Sequence, residues 1–114
     1  MSQSLPVLTL TKLASGAVAA RRFVGFDGAQ LGADVRALGV SRYAAEDGQA
    51  MPVDVLGTTV VETGGEFAIG DELTSDADGR AVVNPGVGGE IIVADPMEAS
   101  TGACQFVEVL LRRA

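Results

Sequence analysis

Glycine spacing is the feature of this sequence that most constrains its fold. Fifteen glycines interrupt the 114 residues, and between them lie short apolar or alternating runs rather than any long segment with a 3.6-residue period. Glycine supplies the positive φ angles of tight turns and destabilises a helix interior by roughly 1 kcal/mol relative to alanine. The pattern therefore predicts an all-β fold, either a small glycine-rich β-barrel or a sandwich.

Short strands are predicted along the whole chain. Residues 72–75 and 80–83 form the clearest hairpin, because Asp76-Ala77-Asp78-Gly79 between them provides the positive φ position of a hairpin turn. A turn is also expected at Thr63-Gly64-Gly65. The remaining predicted elements are strands at residues 7–13, 22–26, 53–62, 90–94 and 105–112, and at most a turn of helix at residues 30–38 and 43–47.

A faint internal duplication accompanies these strands. Residues 48–56 align with residues 102–110, and both copies consist of a glycine, a short link and then an apolar-acid-apolar-apolar run. Shared turn chemistry explains the match as well as common ancestry does. If the cause is ancestry, two pseudo-repeated β-units pack face to face around one core of valine and leucine.

The first thirteen residues are predicted to form an N-terminal arm or an edge strand, separate from the domain that follows. Residues 14–114 are predicted to form a single β-rich domain. Residues 1–13 are apolar enough for a strand, but Pro6 suits an edge strand or a detached arm better than a central strand. Two interpretations stay open, because the segment can add to a neighbour's sheet or be the first strand of its own barrel. In the first case, deleting residues 1–12 weakens attachment to a partner more than it weakens folding.

The charge is negative overall and unevenly distributed. The net charge of −7 argues against a nucleic acid as the main partner, because phosphate binding needs a basic surface. Residues 1–45 carry five basic and two acidic side chains, whereas residues 46–108 carry thirteen acids and a single arginine. A solvated acidic surface is the simplest explanation. The segregation also suits side-by-side assembly, in which a basic edge of one subunit meets an acidic edge of the next.

The residue types that most catalytic and metal sites require are scarce. The sequence has no histidine, the commonest general base at neutral pH and the commonest metal ligand. Cys104 is the only cysteine, and its position in an apolar strand-like run predicts a buried structural thiol. Asp76 and Asp78 lie in a turn that lacks the later ligands of a calcium loop. We therefore expect no enzyme, no catalytic residue, no metal and no cofactor.

No targeting or membrane segment is predicted. Residues 1–13 lack a basic leader followed by an apolar run, and nowhere do about 18 apolar residues follow one another, as a membrane span requires. We therefore expect no membrane partner, and a protein made in a cytosol or in a particle assembled there.

Candidate partner-binding residues come from the apolar N-terminal segment and from an arginine pair. Two arginine pairs, at positions 21–22 and 112–113, flank β-like runs, and their fork-shaped guanidinium groups can grip carboxylates on a partner. Solvated strand ends are the simpler explanation of these pairs. The candidate residues are Val7, Leu8, Leu10, Lys12, Arg21 and Arg22.

The glycine-punctuated segments together resemble the capsid cement, or head decoration, proteins of tailed bacteriophages. The resemblance covers residues 14–111. Its most similar segments are Val61-Glu62-Thr63-Gly64-Gly65, Ile69-Gly70-Asp71-Glu72-Leu73 and the following Thr74-Ser75-Asp76-Ala77-Asp78-Gly79-Arg80-Ala81. Residues 21–28, 38–41, 44–49 and 53–57 are similar in the order of strand, turn and small-residue loop.

This resemblance implies a virion protein that binds the outside of an icosahedral head, bridges neighbouring major capsid subunits and stabilises their lattice. It also implies self-association, commonly as a homotrimer, after synthesis in the host cytoplasm. A cement protein needs no catalytic group, and weak contacts repeated over a lattice become collectively strong. The alternatives are a tail- or baseplate-associated module, a free-standing β-barrel, or a carbohydrate-binding module. The last needs exposed aromatic platforms, and of the five aromatic residues several are expected to face inward.

Overall fold

The computed structural model describes residues 5–32, 37–84 and 92–111. These ranges contain β1 (Leu5–Leu13), β2 (Phe23–Val24), β3 (Gly39–Ser41), β4 (Ala50–Phe67), β5 (Leu73–Ser75), β6 (Ala81–Val83), β7 (Ala94–Pro96) and β8 (Ser100–Leu111). They include no helix, and so none long and apolar enough to cross a membrane. The prediction of an all-β fold is confirmed.

Strand β4 organises the sheet, because it is 18 residues long and changes partners along its length. Its second half pairs antiparallel with β8 and meets β6 in parallel, where Thr63 lies opposite Ala81. β6 pairs with β5, β5 with β7, and β7 with β8, so that five strands close into a barrel. The sequence left barrel and sandwich open, and the structure is a barrel with additional strands.

The first half of β4 continues beyond the barrel as an extension of the sheet. β1 pairs antiparallel with residues 50–58. β3 pairs with Val53 and Asp54 on one edge and with β2 on its other edge. β1 and β3 flank β4 on opposite sides, since both lie opposite the same two β4 residues. Leu5 of β1 and Leu110 of β8 both lie opposite Thr58, which marks the junction between extension and barrel.

The core consists of two clusters of mainly aliphatic side chains. Phe23 and Val24 are neighbours on β2 and belong to different clusters, because successive strand residues point to opposite faces. The barrel cluster contains Phe23, Leu31, Val40, Val61, Phe67, Leu73, Ala81, Val93, Ala94, Val107 and Val109. The extension cluster contains Ala14, Val18, Val24, Leu38, Ala45, Met51, Val53 and Val55.

The β5–β6 hairpin is confirmed, and its turn has the geometry that the sequence predicts. The Gly79 N–H donates to the Asp76 carbonyl at 3.2 Å, and Gly79 has a φ of 78°. A type I turn followed by one left-handed residue is a common three-residue hairpin loop. Asp76 Oδ1 also accepts hydrogen bonds from the N–H groups of Asp78 and Arg80, at 2.8 and 2.9 Å. The aspartate thus organises the turn through its side chain.

The turn expected at Thr63-Gly64-Gly65 is wrong, because β4 continues through it to Phe67. A Cβ atom on Gly64 would collide with the Asp76 carboxylate and lie 2.8 Å from Val82 Cγ1. Glycine at this position therefore lets the β5–β6 hairpin approach β4 closely. Close approach of another chain segment is a common reason for a glycine within a strand.

The remaining sequence expectations have mixed outcomes. The two copies of the suggested duplication have different partners. Residues 53–56 pair with β1 and β3 in the extension, whereas residues 107–110 pair with residues 58–61 in the barrel. The described residues therefore do not form two similar β-units. Residues 43–47 form bends and a turn around the Val18–Ala45 bridge rather than a helix. Residues 33–36, 85–91 and 112–114 lie outside the described residues, and with them parts of the expected elements at 30–38, 90–94 and 105–112.

Candidate binding surface

Strand β1 forms an exposed edge of the extension and contains most of the candidate residues. Within the described part of the chain it pairs with β4 alone. Leu8 and Leu10 are each 41% exposed and Leu13 is 63% exposed, whereas Lys12 is half-buried. Val7 belongs to the same strand. Lys12 is the only charged residue of β1, and the exposed side chains from Leu8 to Thr11 are leucines and threonines, a surface of the kind that partners commonly cover.

Asp54 fixes β1 and β3 to β4 through a buried carboxylate. Its side chain is fully buried and accepts hydrogen bonds from the Thr9 hydroxyl at 2.9 Å, the Thr59 hydroxyl at 2.7 Å and Arg42 Nε at 3.1 Å. Thr9 lies on β1, Arg42 directly follows β3, and Thr59 lies on β4. A buried carboxylate is tolerated when it is paired and hydrogen-bonded. The hydrogen bonds that satisfy the Asp54 carboxylate therefore connect β1, the end of β3 and β4 at one point.

Arg22 makes its polar contacts inside the molecule. Its Nη2 donates to Glu62 Oε2 at 3.1 Å, and its Nη1 donates to the Asp78 carbonyl at 2.9 Å. The side chains of Arg22 and Glu62 are only 18% and 15% exposed. The guanidinium group therefore connects the segment before β2 with β4 and with the hairpin turn. A partner's carboxylate would have to compete with Glu62 for this group.

Arg21 has a backbone conformation that is uncommon for a residue other than glycine. Its φ is 58°, in the left-handed region. Its N–H donates to the Ser41 carbonyl at 2.8 Å, and its own carbonyl accepts from the Glu62 N–H at 2.8 Å. Through these bonds the Arg21 backbone connects the end of β3 with β4. Its Nη1 is buried and has no hydrogen-bond partner among the described residues.

The structure separates the six candidate residues into two groups. One group lies on β1, which pairs with the first half of β4. The other, Arg21 and Arg22, lies beside β3, where Ser41 bonds to both arginines, and the Arg21 carbonyl also accepts from the Glu62 N–H in the second half of β4. The two groups are therefore attached to different parts of β4. The second arginine pair, Arg112 and Arg113, lies outside the described residues.

Cys104 is exposed, which corrects the expectation of a buried thiol. A β-bulge occurs here, because Cys104 and Gln105 together oppose Thr63. Cys104 has a φ of 63°, and the Thr63 hydroxyl supports the bulge by accepting from the Gln105 N–H at 3.0 Å and donating to the Gly102 carbonyl at 2.8 Å. The extra residue changes which side chains face the core, and an apolar run in the sequence does not reveal it.

Arg80 is surrounded by acidic groups beside the hairpin turn. Its Nε lies 3.4 Å from Asp76 Oδ2, its Nη2 lies 3.4 Å from Asp78 Oδ2, and its Nη1 lies 4.0 Å from Glu62 Oε2. Asp76 above all raises the pKa of the Arg80 guanidinium beyond its ordinary value, against the opposing effect of desolvation. An arginine in a protein is always protonated, so Arg80 acts as a structural cation among these carboxylates.

The surface of the described residues also has depressions. One of about 660 Å³ is lined mainly by small side chains, with Glu46 as its one carboxylate and no aromatic ring. A second of about 480 Å³ includes Phe26. Phe23 and Phe67 are buried, whereas Phe26, Tyr43 and Phe106 are 48%, 63% and 55% exposed. Neither depression has the paired aromatic platforms that bind sugars.

Asp54, which joins β1 and β3 to β4, is not among the residues that the sequence indicates as functional. The available signal was a single acid in the otherwise apolar run Val53-Asp54-Val55-Leu56. That run was interpreted only as a strand. An acid in an apolar strand indicates either an outward-facing charge or a buried, hydrogen-bonded carboxylate, and the partners that distinguish these cases come from distant parts of the chain.

Comparison with known proteins agrees with this architecture. A family model described as phage cement protein matches residues 1–111. Among solved structures, the chain is similar to the N base of the head fibre gp8.5 of bacteriophage phi29, with a TM-score of 0.73 and 22% identity over 94% of this chain and 95% of that chain. No curated protein gave a significant match. At 22% identity the phi29 structure shows a shared fold alone.

The family match covers nearly the whole chain. It confirms the resemblance that the sequence shows over residues 14–111, and it extends that resemblance to residues 1–13, for which the sequence alone gives no family counterpart. Proteins of this family are structural components of the phage virion, which favours a structural over an enzymatic role. With its closed barrel, its strand extension and this match over residues 1–111, the chain belongs to the phage cement protein family.

Proposed function

We propose that this protein binds the outer surface of a phage capsid and stabilises the lattice of the major capsid protein. The observation that carries the proposal is the family match over residues 1–111. The shared fold with a protein described as the base of a phage head fibre supports it. The protein would then be made in the host cytoplasm and reside on the capsid exterior.

The physical organisation of the molecule suits this role. A closed barrel resists deformation because each of its strands has a neighbour on both sides. β4 runs from that barrel into the extension, where the buried carboxylate of Asp54 holds β1 in place. A force applied to β1 is therefore transmitted to the barrel through one continuous strand. A cement protein needs this combination of a stiff body and an exposed contact strand.

We propose that β1 provides the main contact with the capsid protein, through Val7, Leu8, Leu10 and Lys12. The exposure of Leu8 and Leu10 supports this assignment. Arg21 and Arg22 belong to a second candidate contact on the other side of the extension. Because Arg22 is already paired with Glu62, that contact is expected to depend on shape and hydrogen bonding more than on a new ion pair.

We also propose that the protein associates with itself, as a homotrimer. The support is the separation of charge between the first 45 residues and residues 46–108. Arg22 and Arg42 are paired with Glu62 and Asp54 inside the chain, so a contact between opposite charges of two copies would use the other basic residues of the first 45. A head-to-tail contact generates a closed ring when the rotation between copies allows it.

Cosedimentation of the purified protein with undecorated heads of its source phage tests this function. We expect saturable binding at a ratio that matches the lattice symmetry, and light scattering of the free protein shows which oligomer docks. Absence of binding, together with a stable oligomer in solution, would contradict the capsid role and favour a free-standing β-barrel. Binding to tails or baseplates instead of heads would favour the tail-associated alternative.

A further inference from the structure

The edge of β1 differs from the other strand edges among the described residues. Closure of the barrel gives β5, β6, β7 and β8 neighbours on both sides. β2 is covered on its outer side, because the Phe23 N–H donates to the Gly79 carbonyl at 2.8 Å and the Leu31 N–H donates to the Phe23 carbonyl at 2.9 Å. For β1, the described residues provide pairing on the β4 side alone.

The usual protections of an edge strand are present in the first half and at the end of β1. Natural edge strands are blocked by charges, prolines and bulges. Pro6 and the irregular pairing around Leu8 lie in the first half, and Lys12 lies near the end. The turn at Gly28 packs against the last residues, since the Ser15 N–H donates to the Gly28 carbonyl at 3.0 Å. Among the described residues, the edge from Leu5 to Thr11 therefore has no pairing strand, and its regular part is Thr9 to Thr11.

We propose that this open edge binds an extended strand of the major capsid protein through main-chain hydrogen bonds. The inference rests on the proposed function and specifies how the shell is held. An added strand satisfies the outward-facing N–H and C=O groups of β1, and alternate side chains then supply specificity. Exposed Leu8 and Leu10 provide apolar contacts for such a strand, and Lys12 favours an acidic residue at its end.

The size of the edge favours a capsid strand over a second copy of this chain. The seven residues from Leu5 to Thr11 span roughly 20 Å, and a sheet with its side chains is about 10 Å thick, which gives on the order of 200 Å² per partner. A stable protein–protein interface buries about 800 Å² per partner. Two free copies would therefore not remain paired by this edge, whereas a capsid lattice holds many such sites in place and combines their weak contacts.

Proline substitutions at adjacent positions test the main-chain contact. Successive N–H groups of a strand point to opposite edges, so of Leu10 and Thr11 one N–H points to β4 and the other points outward. Of Leu10→Pro and Thr11→Pro, the variant that loses a β4 hydrogen bond is strongly destabilised, and the other folds. We expect the folded proline variant to bind heads about tenfold more weakly than alanine at the same position, which removes the side chain but keeps the N–H.

The outcomes separate this inference from the proposed function. If the unmodified protein binds heads and the folded proline variant binds as well as its alanine control, the main-chain contact is wrong and the capsid role stands. If the unmodified protein does not bind, both are wrong. Hydrogen exchange gives a second measurement that needs no variant. The outward-facing amides between Val7 and Thr11 should become protected on head binding, and unchanged exchange there would overturn the strand pairing.

Discussion

Substitution of Asp54 by asparagine should loosen the extension and lower the stability of the whole protein. The change keeps the shape of the side chain but removes the charge that receives three hydrogen bonds. Each hydrogen bond to a charged group contributes roughly 1.5–3 kcal/mol, and these contributions are not additive. Arg42 is 31% exposed and can turn to water, whereas Thr59 is fully buried and cannot. We therefore expect a loss of about 2–4 kcal/mol in the free energy of unfolding.

Urea unfolding at a fixed protein concentration measures this loss. With a slope of about 1.5 kcal/mol per molar urea for a domain of this size, the midpoint of Asp54→Asn should fall by roughly 1.3–2.7 M. Asp78→Asn is the matched control, because Asp78 is 65% exposed and its carboxylate lies 3.4 Å from Arg80. A surface ion pair of this kind contributes less than about 1 kcal/mol. The protein concentration must stay fixed, since self-association would shift the midpoint.

Two results would refute the assignment of Asp54. Equal midpoints for Asp54→Asn and Asp78→Asn, with unchanged slopes, would show that the Asp54 carboxylate is not buried and paired. The second test replaces Asp54 and two of its three partners, by combining Asp54→Leu with Thr59→Val and Arg42→Met, and it keeps Thr9, whose exposed hydroxyl can bond to water. Removing these groups together should recover much of the lost stability, because no buried polar group of the cluster is then left unsatisfied. A triple variant less stable than Asp54→Asn would contradict this.

Two further predictions concern the backbone, and the same urea titration checks them. Cys104→Gly should raise the free energy of unfolding by about 0.5–1 kcal/mol, because glycine removes the strain of φ 63°. Cys104→Val should lower the free energy of unfolding, and the opposite order of the two variants would contradict the bulge. Gly39→Ala should lower the free energy of unfolding by about 1–3 kcal/mol, because a Cβ there would collide with the Asp54 carbonyl. Gly65→Ala, with no atom within 4 Å of its Cβ, should change it little, and equal effects at both sites would refute the close approach at Gly39.

Local sequence patterns predicted those parts of the fold in which neighbouring residues decide the structure. The β5–β6 hairpin is one example, because Asp76 and Gly79 determine their own turn through bonds within five residues. The strands at residues 7–13 and 53–62 are another, although the structure extends both. The family resemblance is also visible in the hairpin and in residues 53–57, but not in residues 7–13. Of the candidate binding residues, the sequence indicated the apolar strand β1 but gave no information about which edge of it is open.

Local patterns failed where two distant segments meet. The sequence of Thr63-Gly64-Gly65 is typical of a turn, yet the approach of the β5–β6 hairpin makes it part of β4. Cys104 lies in an apolar run, yet the bulge opposite Thr63 turns it to the solvent. In both cases the deciding contact comes from a residue more than ten positions away, which no local pattern can show.

The sequence by itself determined the all-β class, the hairpin chemistry and the aliphatic character of the core, and it showed a resemblance to a structural family. The first three properties depend on composition and on short-range backbone preferences, which are the same in any tertiary context. Only the tertiary structure decided that β4 serves both barrel and extension, that Asp54 joins three strands, and that β1 is paired on one edge alone among the described residues. Those features depend on pairing between residues about 40 positions apart, as with Thr9 and Asp54, and closure of the barrel determines which edge is left.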